Sequence, residues 1–80
     1  MNLDERHFLR ELGTRIRGHR KKCGWTQEEL GKRCSLHRTF IGSVERGERN
    51  LSILNLRFIA RVLRVPLSIL LAASSQTESE

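Results

Sequence analysis

The stretch Thr26–Gly47, TQEELGKRCSLHRTFIGSVERG, decides how this chain folds. Thr26 has the side chain to cap a helix, and Glu29 three residues on completes a capping box. Leu30 and Cys34, four apart, then form one apolar stripe. The run Cys34-Ser35-Leu36-His37 breaks that period, and Ile41 and Val44 begin another with a spacing of three. Gly47 follows, where a helix end commonly needs positive φ. The spacing predicts two short helices joined by a tight turn, with Arg, Thr and Ser left on the outer face of the second.

That layout is the one by which a helix-turn-helix presents its second helix to a major groove. The segments TQEELGKRC and RTFIGSVERGERN resemble the helix-turn-helix family of phage repressors and Cro proteins, the xenobiotic-response-element type. Within it, RTFIGSVERGERNLS is most similar to the small controller proteins of restriction-modification systems. The resemblance runs from about Leu12 to Leu71. It implies an all-α, five-helix DNA-binding domain acting as a homodimer, a bacterial or phage source, and repression or activation according to operator position.

Composition narrows the function classes. Eighty residues allow one helical core and no separate catalytic domain. The net charge is +6; without the last seven residues, 15 Lys/Arg stand against 7 Asp/Glu, leaving +8. A pI near 10.7 favours a polyanionic partner, nucleic acid or an acidic membrane surface, over a merely soluble basic protein. No apolar run is long enough to span a membrane and no signal pattern opens the chain, so a soluble cytoplasmic protein is expected.

Cys23 and Cys34 lie in no short Cys-Cys or Cys-His spacing, and His7, His19 and His37 are scattered. No metal site is expected, and both cysteines read as reduced and buried. Glu28 and Glu29 are adjacent on a helix and do not face each other. With no nucleophile–base set and no phosphate-cradling glycine loop, neither an enzyme, a cofactor nor a small-molecule ligand is indicated.

Asn2 to Lys22 reads as the first helix, with an Asn2/Glu5 capping box and Leu9, Leu12 and Ile16 inward. Gly13 and Gly18 each weaken it by about 1 kcal/mol relative to Ala. Leu3 and Phe8 are expected to pack on the core, the other reading being contact with a partner subunit. The closing cations Arg15, Arg17, Arg20, Lys21 and Lys22 offset the helix dipole. The resemblance gives Arg20 a sharper role, an at least partly buried ion pair with Glu45. Trp25 reads as an edge of the core, with base stacking as the alternative.

The resemblance makes Gln27 a ligand of a backbone phosphate that also braces the start of the recognition helix, a merely solvated glutamine being the alternative. A helix N-terminus attracts phosphate on general grounds. The turn departs from the family pattern: Gly31 stands for Ala, Ser35 for Gly, and His37 for the usual Ser or Asp N-cap, which predicts strain at Ser35 and a weaker cap at His37. On the recognition helix, Arg38, Thr39, Gly42, Ser43 and Arg46 fall on or near the exposed face. Arg38, at the first helical position, can take guanine O6 and N7 together. Thr39 and Ser43 are the next base readers, and Arg46 either reads a base or binds phosphate. Gly42 allows close approach to DNA. Phe40 packs, touches the sugar-phosphate backbone, or meets a second subunit. Arg49 and Asn50 take phosphate by resemblance, solvation being the alternative.

Ser52 caps a fourth helix, Ile53 to Leu63, with Leu56, Ile59, Ala60 and Leu63 inward and Arg57, Arg61 and Arg64 on a solvated outer side. Pro66 opens a fifth helix reaching about Ala73. Leu67, Leu70 and Leu71 complete the core, leaving Ile69, Ala72 and Ala73 for a two-fold dimer interface. The domain is therefore read as residues 1–73, with an acidic disordered tail over 74–80. An antitoxin that represses its own operon and binds a toxin, or a protein-interaction module without DNA affinity, are the competing functions.

Overall fold

Among the described residues, side-chain caps begin four of five helices. In the computed structural model, which describes residues 2–72, α1 is Leu3–Lys22, α2 Gln27–Cys34, α3 Arg38–Glu45, α4 Ile53–Leu63 and α5 Leu67–Leu70. Asn2 and Thr26 each form a capping box: Asn2 Oδ1 accepts from Glu5 N–H at 2.8 Å and Thr26 Oγ1 from Glu29 N–H at 3.0 Å. Ser52 Oγ accepts from Asn55 N–H at 3.0 Å. His37 caps α3 with its ring, Nδ1 accepting from Thr39 N–H at 3.1 Å. The cap is an imidazole in place of the usual hydroxyl or carboxylate, which requires the ring proton on Nε2.

The apolar stripes meet in one core. Leu9, Leu12 and Ile16 of α1, Leu30 and Cys34 of α2, Ile41 and Val44 of α3, Leu56, Ile59, Ala60 and Leu63 of α4, and Leu70 of α5 are all buried. Trp25, Phe40, Leu67 and Leu71 pack against this cluster half-buried. No helix among the described residues is long and apolar enough to cross a membrane.

Four local expectations differ from the observed chain. Leu3 is 81% exposed and Phe8 42% exposed, because the first two turns of α1 run past the end of the core rather than over it. Cys34 is buried but Cys23, the C-cap of α1, is exposed. Helix α5 stops at Leu70, so Ala72 is an exposed residue beyond its end; Ala73 and the tail 74–80 lie outside the described residues. The outer side of α4 is not purely charged, since Ile53, Leu54 and Phe58 are exposed on it with the arginines.

Among the described residues, two that are not glycine adopt the left-handed conformation. Ser35 has φ 58 and ψ 38, ending α2 at the turn where a glycine would be at ease. Arg64 does the same at the end of α4, with φ 63, two residues before Pro66 stops the helix. A Cβ at Gly31 would collide with the backbone oxygen of Leu36. The departure from Ala is thus a fit to a tighter turn than an alanine would admit.

Candidate nucleic-acid interface

The recognition helix α3 is held at its C-terminal end by a buried polar network. Arg20 Nε donates to Glu45 Oε2 at 2.7 Å and Arg20 Nη2 to Glu45 Oε1 at 2.9 Å, a bidentate pair in which each residue is 7% exposed. Arg20 Nη1 donates to Trp25 O at 2.7 Å. Gln27 Nε2 donates to Glu45 Oε1 at 3.1 Å. One arginine therefore links the end of α1, the approach to α2 and the end of α3. Hydrogen bonding to Glu45 raises the Arg20 pKa above its ordinary value while burial opposes it, so the guanidinium stays charged.

Backbone contact sets the angle at which α3 is presented. Gly13, in the middle of α1, faces the last turn of α3; a Cβ there would press on Val44 O and lie 2.6 Å from Glu45 O. Gly47 packs in the same way against α1, where a Cβ would be 2.7 Å from Arg10 Cα, and its φ of +75 disfavours any other residue. Gly13, read from sequence as a weak point of α1, lies directly on the backbone of the end of α3. Its signal was ambiguous because low helix propensity and close approach call for the same residue.

Residues expected to read bases are in unlike states. Arg38 is exposed and, among the described residues, its guanidinium has no protein partner. Thr39 is exposed, with Oγ1 2.9 Å from His37 Nδ1. Since that nitrogen also accepts the Thr39 N–H, the hydroxyl donates to it, leaving the methyl group and the oxygen lone pairs. Ser43 is half-buried; its hydroxyl donates to Phe40 O at 2.8 Å and accepts from Arg49 Nε at 3.3 Å. Arg49 also lies over the Phe40 ring, 4.9 Å from its centroid, so Phe40 packs on the core with one face and carries this guanidinium on the other. Arg46 is exposed and bonded through Nε to Glu48 Oε1 at 3.1 Å. Asn50 is exposed in the loop after Gly47.

Two roles expected on this face are corrected. Gln27 does not brace the start of α3; its side chain bonds Glu45, at the far end of that helix. Gly42 is not a bare spot on the exposed face but is buried, with Gln27 Oε1 and Arg46 Nη1 3.3 and 3.2 Å from where its Cβ would be. The glycine lets two long polar side chains fold across α3. The second Nε2 hydrogen of Gln27 and the first N–H groups of α2 remain to face an anion.

Ile69, expected at a dimer contact, is 44% exposed, and Ala72 is exposed beyond α5. Leu54 and Phe58, 69% and 46% exposed, were overlooked. They are four apart on α4, on the side away from Leu56, Ile59 and Leu63. Their signal was present as a second apolar spacing, masked by Arg57 between them and Arg61 just after. Among the described residues no group of three or more His, Cys, Asp or Glu is placed to hold a metal ion.

A family model described as Helix-turn-helix matches residues 16–70. Control protein C.BamHI of Bacillus amyloliquefaciens is 42% identical over 55 residues, 68% of this chain and 68% of its own. The Neisseria hypothetical transcription factor of Neisseria meningitidis serogroup B is 37% identical over 62 residues; these are 78% of this chain but only 58% of that protein. The crystal structure of the restriction-modification controller protein C.AhdI from Aeromonas hydrophila superposes with a TM-score of 0.79 at 36% identity, covering 84% of this chain and 97% of that one. By matched length, sequence and fold together, the chain belongs to the helix-turn-helix family of DNA-binding transcriptional regulators, close to the controller proteins of restriction-modification systems.

Proposed function

We propose that the chain binds a near-palindromic operator as a homodimer in the cytoplasm, reading bases chiefly through Arg38 and Thr39. The observation that carries this is the exposed guanidinium of Arg38, unpartnered among the described residues, on the first turn of a helix anchored at its other end by Arg20, Glu45 and Gln27. An arginine so placed can bond guanine O6 and N7 together, discriminating by about 1–3 kcal/mol. Ser43, committed to Phe40 and Arg49, serves more to hold that loop than to read. Arg46 reads at the edge of the face or contacts phosphate. Gln27, Arg49 and Asn50 bind the backbone and fix the register.

Pairing of two copies gives the symmetry. Helix α4 has an apolar stripe, Leu54 and Phe58, opposite its buried one, and a helix apolar on two sides is covered on both. A second copy meeting this stripe and the segment Ile69–Ala72 would set two α3 helices roughly 34 Å apart, one turn of DNA. Selection of bound sequences from random duplexes tests the reading. A two-fold consensus is expected, with Arg38→Ala relaxing one position per half-site and Gln27→Ala weakening every sequence alike. No enrichment would overturn DNA reading. A protein that sediments as a monomer when free and on DNA would overturn the pairing.

A further inference from the structure

The first turns of α1, which leave Leu3 and Phe8 uncovered, carry two arginines to the end of the recognition helix. Arg6, Arg10, Arg46, Gly47 and Glu48 line an open cleft of about 320 Å³. Gly47 brings its walls together, because the missing side chain lets the chain after α3 lie directly on the backbone of Arg10. Among the described residues, neither Arg6 nor Arg10 pairs with a carboxylate. The nearby Glu11 is engaged instead by His7 at 3.1 Å and Arg15 at 3.9 Å. Glu48 is bonded to Arg46.

Charge decides what the cleft can hold. Three guanidiniums face one carboxylate and the C-terminal end of α3, which carries roughly half a negative charge. Offsetting the helix end and Glu48 leaves more than one positive charge over, so a structural role for these cations does not exhaust them. Arg46 is shared between the cleft and the face where Gln27 crosses Gly42. The cleft is therefore continuous with the surface read above as meeting DNA.

We propose that Arg6, Arg10 and Arg46 seat one backbone phosphate of the bound duplex, outside the base pairs that α3 reads. This rests on the DNA-binding reading and extends its footprint; the seat itself carries no sequence information. Each phosphate neutralised adds about 0.9 to the salt slope of binding. From a 1 M reference, that slope makes the contact worth roughly fivefold in affinity at 0.15 M salt.

The test is a salt titration of operator binding by the full chain, joined to ethylation interference on the same duplex. Arg6→Gln/Arg10→Gln is expected to flatten the slope by about 0.9, weaken binding roughly fivefold at 0.15 M salt, and remove interference at one phosphate per half-site. Its consensus should stay unchanged. Arg6→Lys/Arg10→Lys should restore most of the slope, separating charge from any loss of folding, and Glu48→Gln should tighten binding to all sequences. An unchanged slope and interference pattern in the glutamine variant overturns the seat. So does loss of binding to inorganic phosphate alone, with DNA binding intact, since the cleft then takes a free anion. If the wild-type chain has no salt-dependent DNA affinity, the underlying reading fails first, before any variant is made.

Discussion

Two glycines in one helix allow a matched perturbation. Gly13 and Gly18 both lie inside α1, and replacing either by alanine raises helix propensity by about 1 kcal/mol. At Gly18 nothing lies within 4 Å of the added Cβ, so that gain should appear in full. At Gly13 the new atom meets Val44 O and Glu45 O, the latter at 2.6 Å. These are backbone atoms of α3 and cannot rotate aside, which places the overpacking cost near the top of the usual range, about 3 kcal/mol. After the propensity gain, Gly13→Ala should lose about 2 kcal/mol where Gly18→Ala gains about 1. In a domain of this size each kcal/mol moves the midpoint by roughly 4–8 °C. Thermal melts should therefore put Gly18→Ala about 4–8 °C above the wild type and Gly13→Ala about 8–16 °C below it. Urea titration of the same proteins provides a second measure. If Gly13→Ala is as stabilising as Gly18→Ala, the close crossing of α1 and α3 is not what positions the recognition helix.

Other outcomes follow from the same contacts. Arg20→Ala would leave Glu45 buried with Gln27 as its remaining side-chain partner and should cost about 3–5 kcal/mol, read by urea denaturation; a loss below 1 kcal/mol would show the pair to be dispensable. Ser35→Gly should stabilise by about 0.5–1 kcal/mol, because relief of the left-handed strain exceeds the added chain entropy; a loss would mean the serine side chain supports the turn. Burial pushes the Cys34 thiol up from 9.0 to about 11. The folded chain thus binds the proton more tightly than the unfolded one: this contribution is full below pH 9 and is lost as pH rises towards 11. The stability difference between wild type and Cys34→Ala should shift against the wild type over that interval. In the native protein an alkylating reagent should modify exposed Cys23 well before Cys34, and equal rates would contradict the burial.

The local chemistry of this chain was legible wherever its partners are close in sequence. The Asn2/Glu5 and Thr26/Glu29 boxes join residues three apart, and the stripes through Leu9, Leu12 and Ile16 or Ile41 and Val44 follow one helical period. The left-handed backbone of Ser35 was legible only through the family resemblance, which puts a glycine at that place. Less legible were residues whose meaning depends on another helix. Gly42 looks like a gap on an outer face until Gln27 and Arg46 are seen to cross it. Gln27 has several acceptors within reach of an extended chain, and only packing brings Glu45 to its amide. Leu54 and Phe58 are chemically like the residues that α4 buries, and which stripe turns inward depends on where α2 and α5 dock.

By itself, then, the sequence determined the helical segments, the caps at Asn2, Thr26 and Ser52, and the stripes that form the core, because periodicity and capping act within a few residues. Tertiary structure alone decided how the surface of α3 is aimed. The contact of Gly13 with the end of α3, Arg20 and Gln27 converging on one carboxylate, and the arginines gathered around Gly47 join residues far apart in the sequence. Close backbone approach and charge clustering are properties of distance in space, and no local pattern of side chains specifies them.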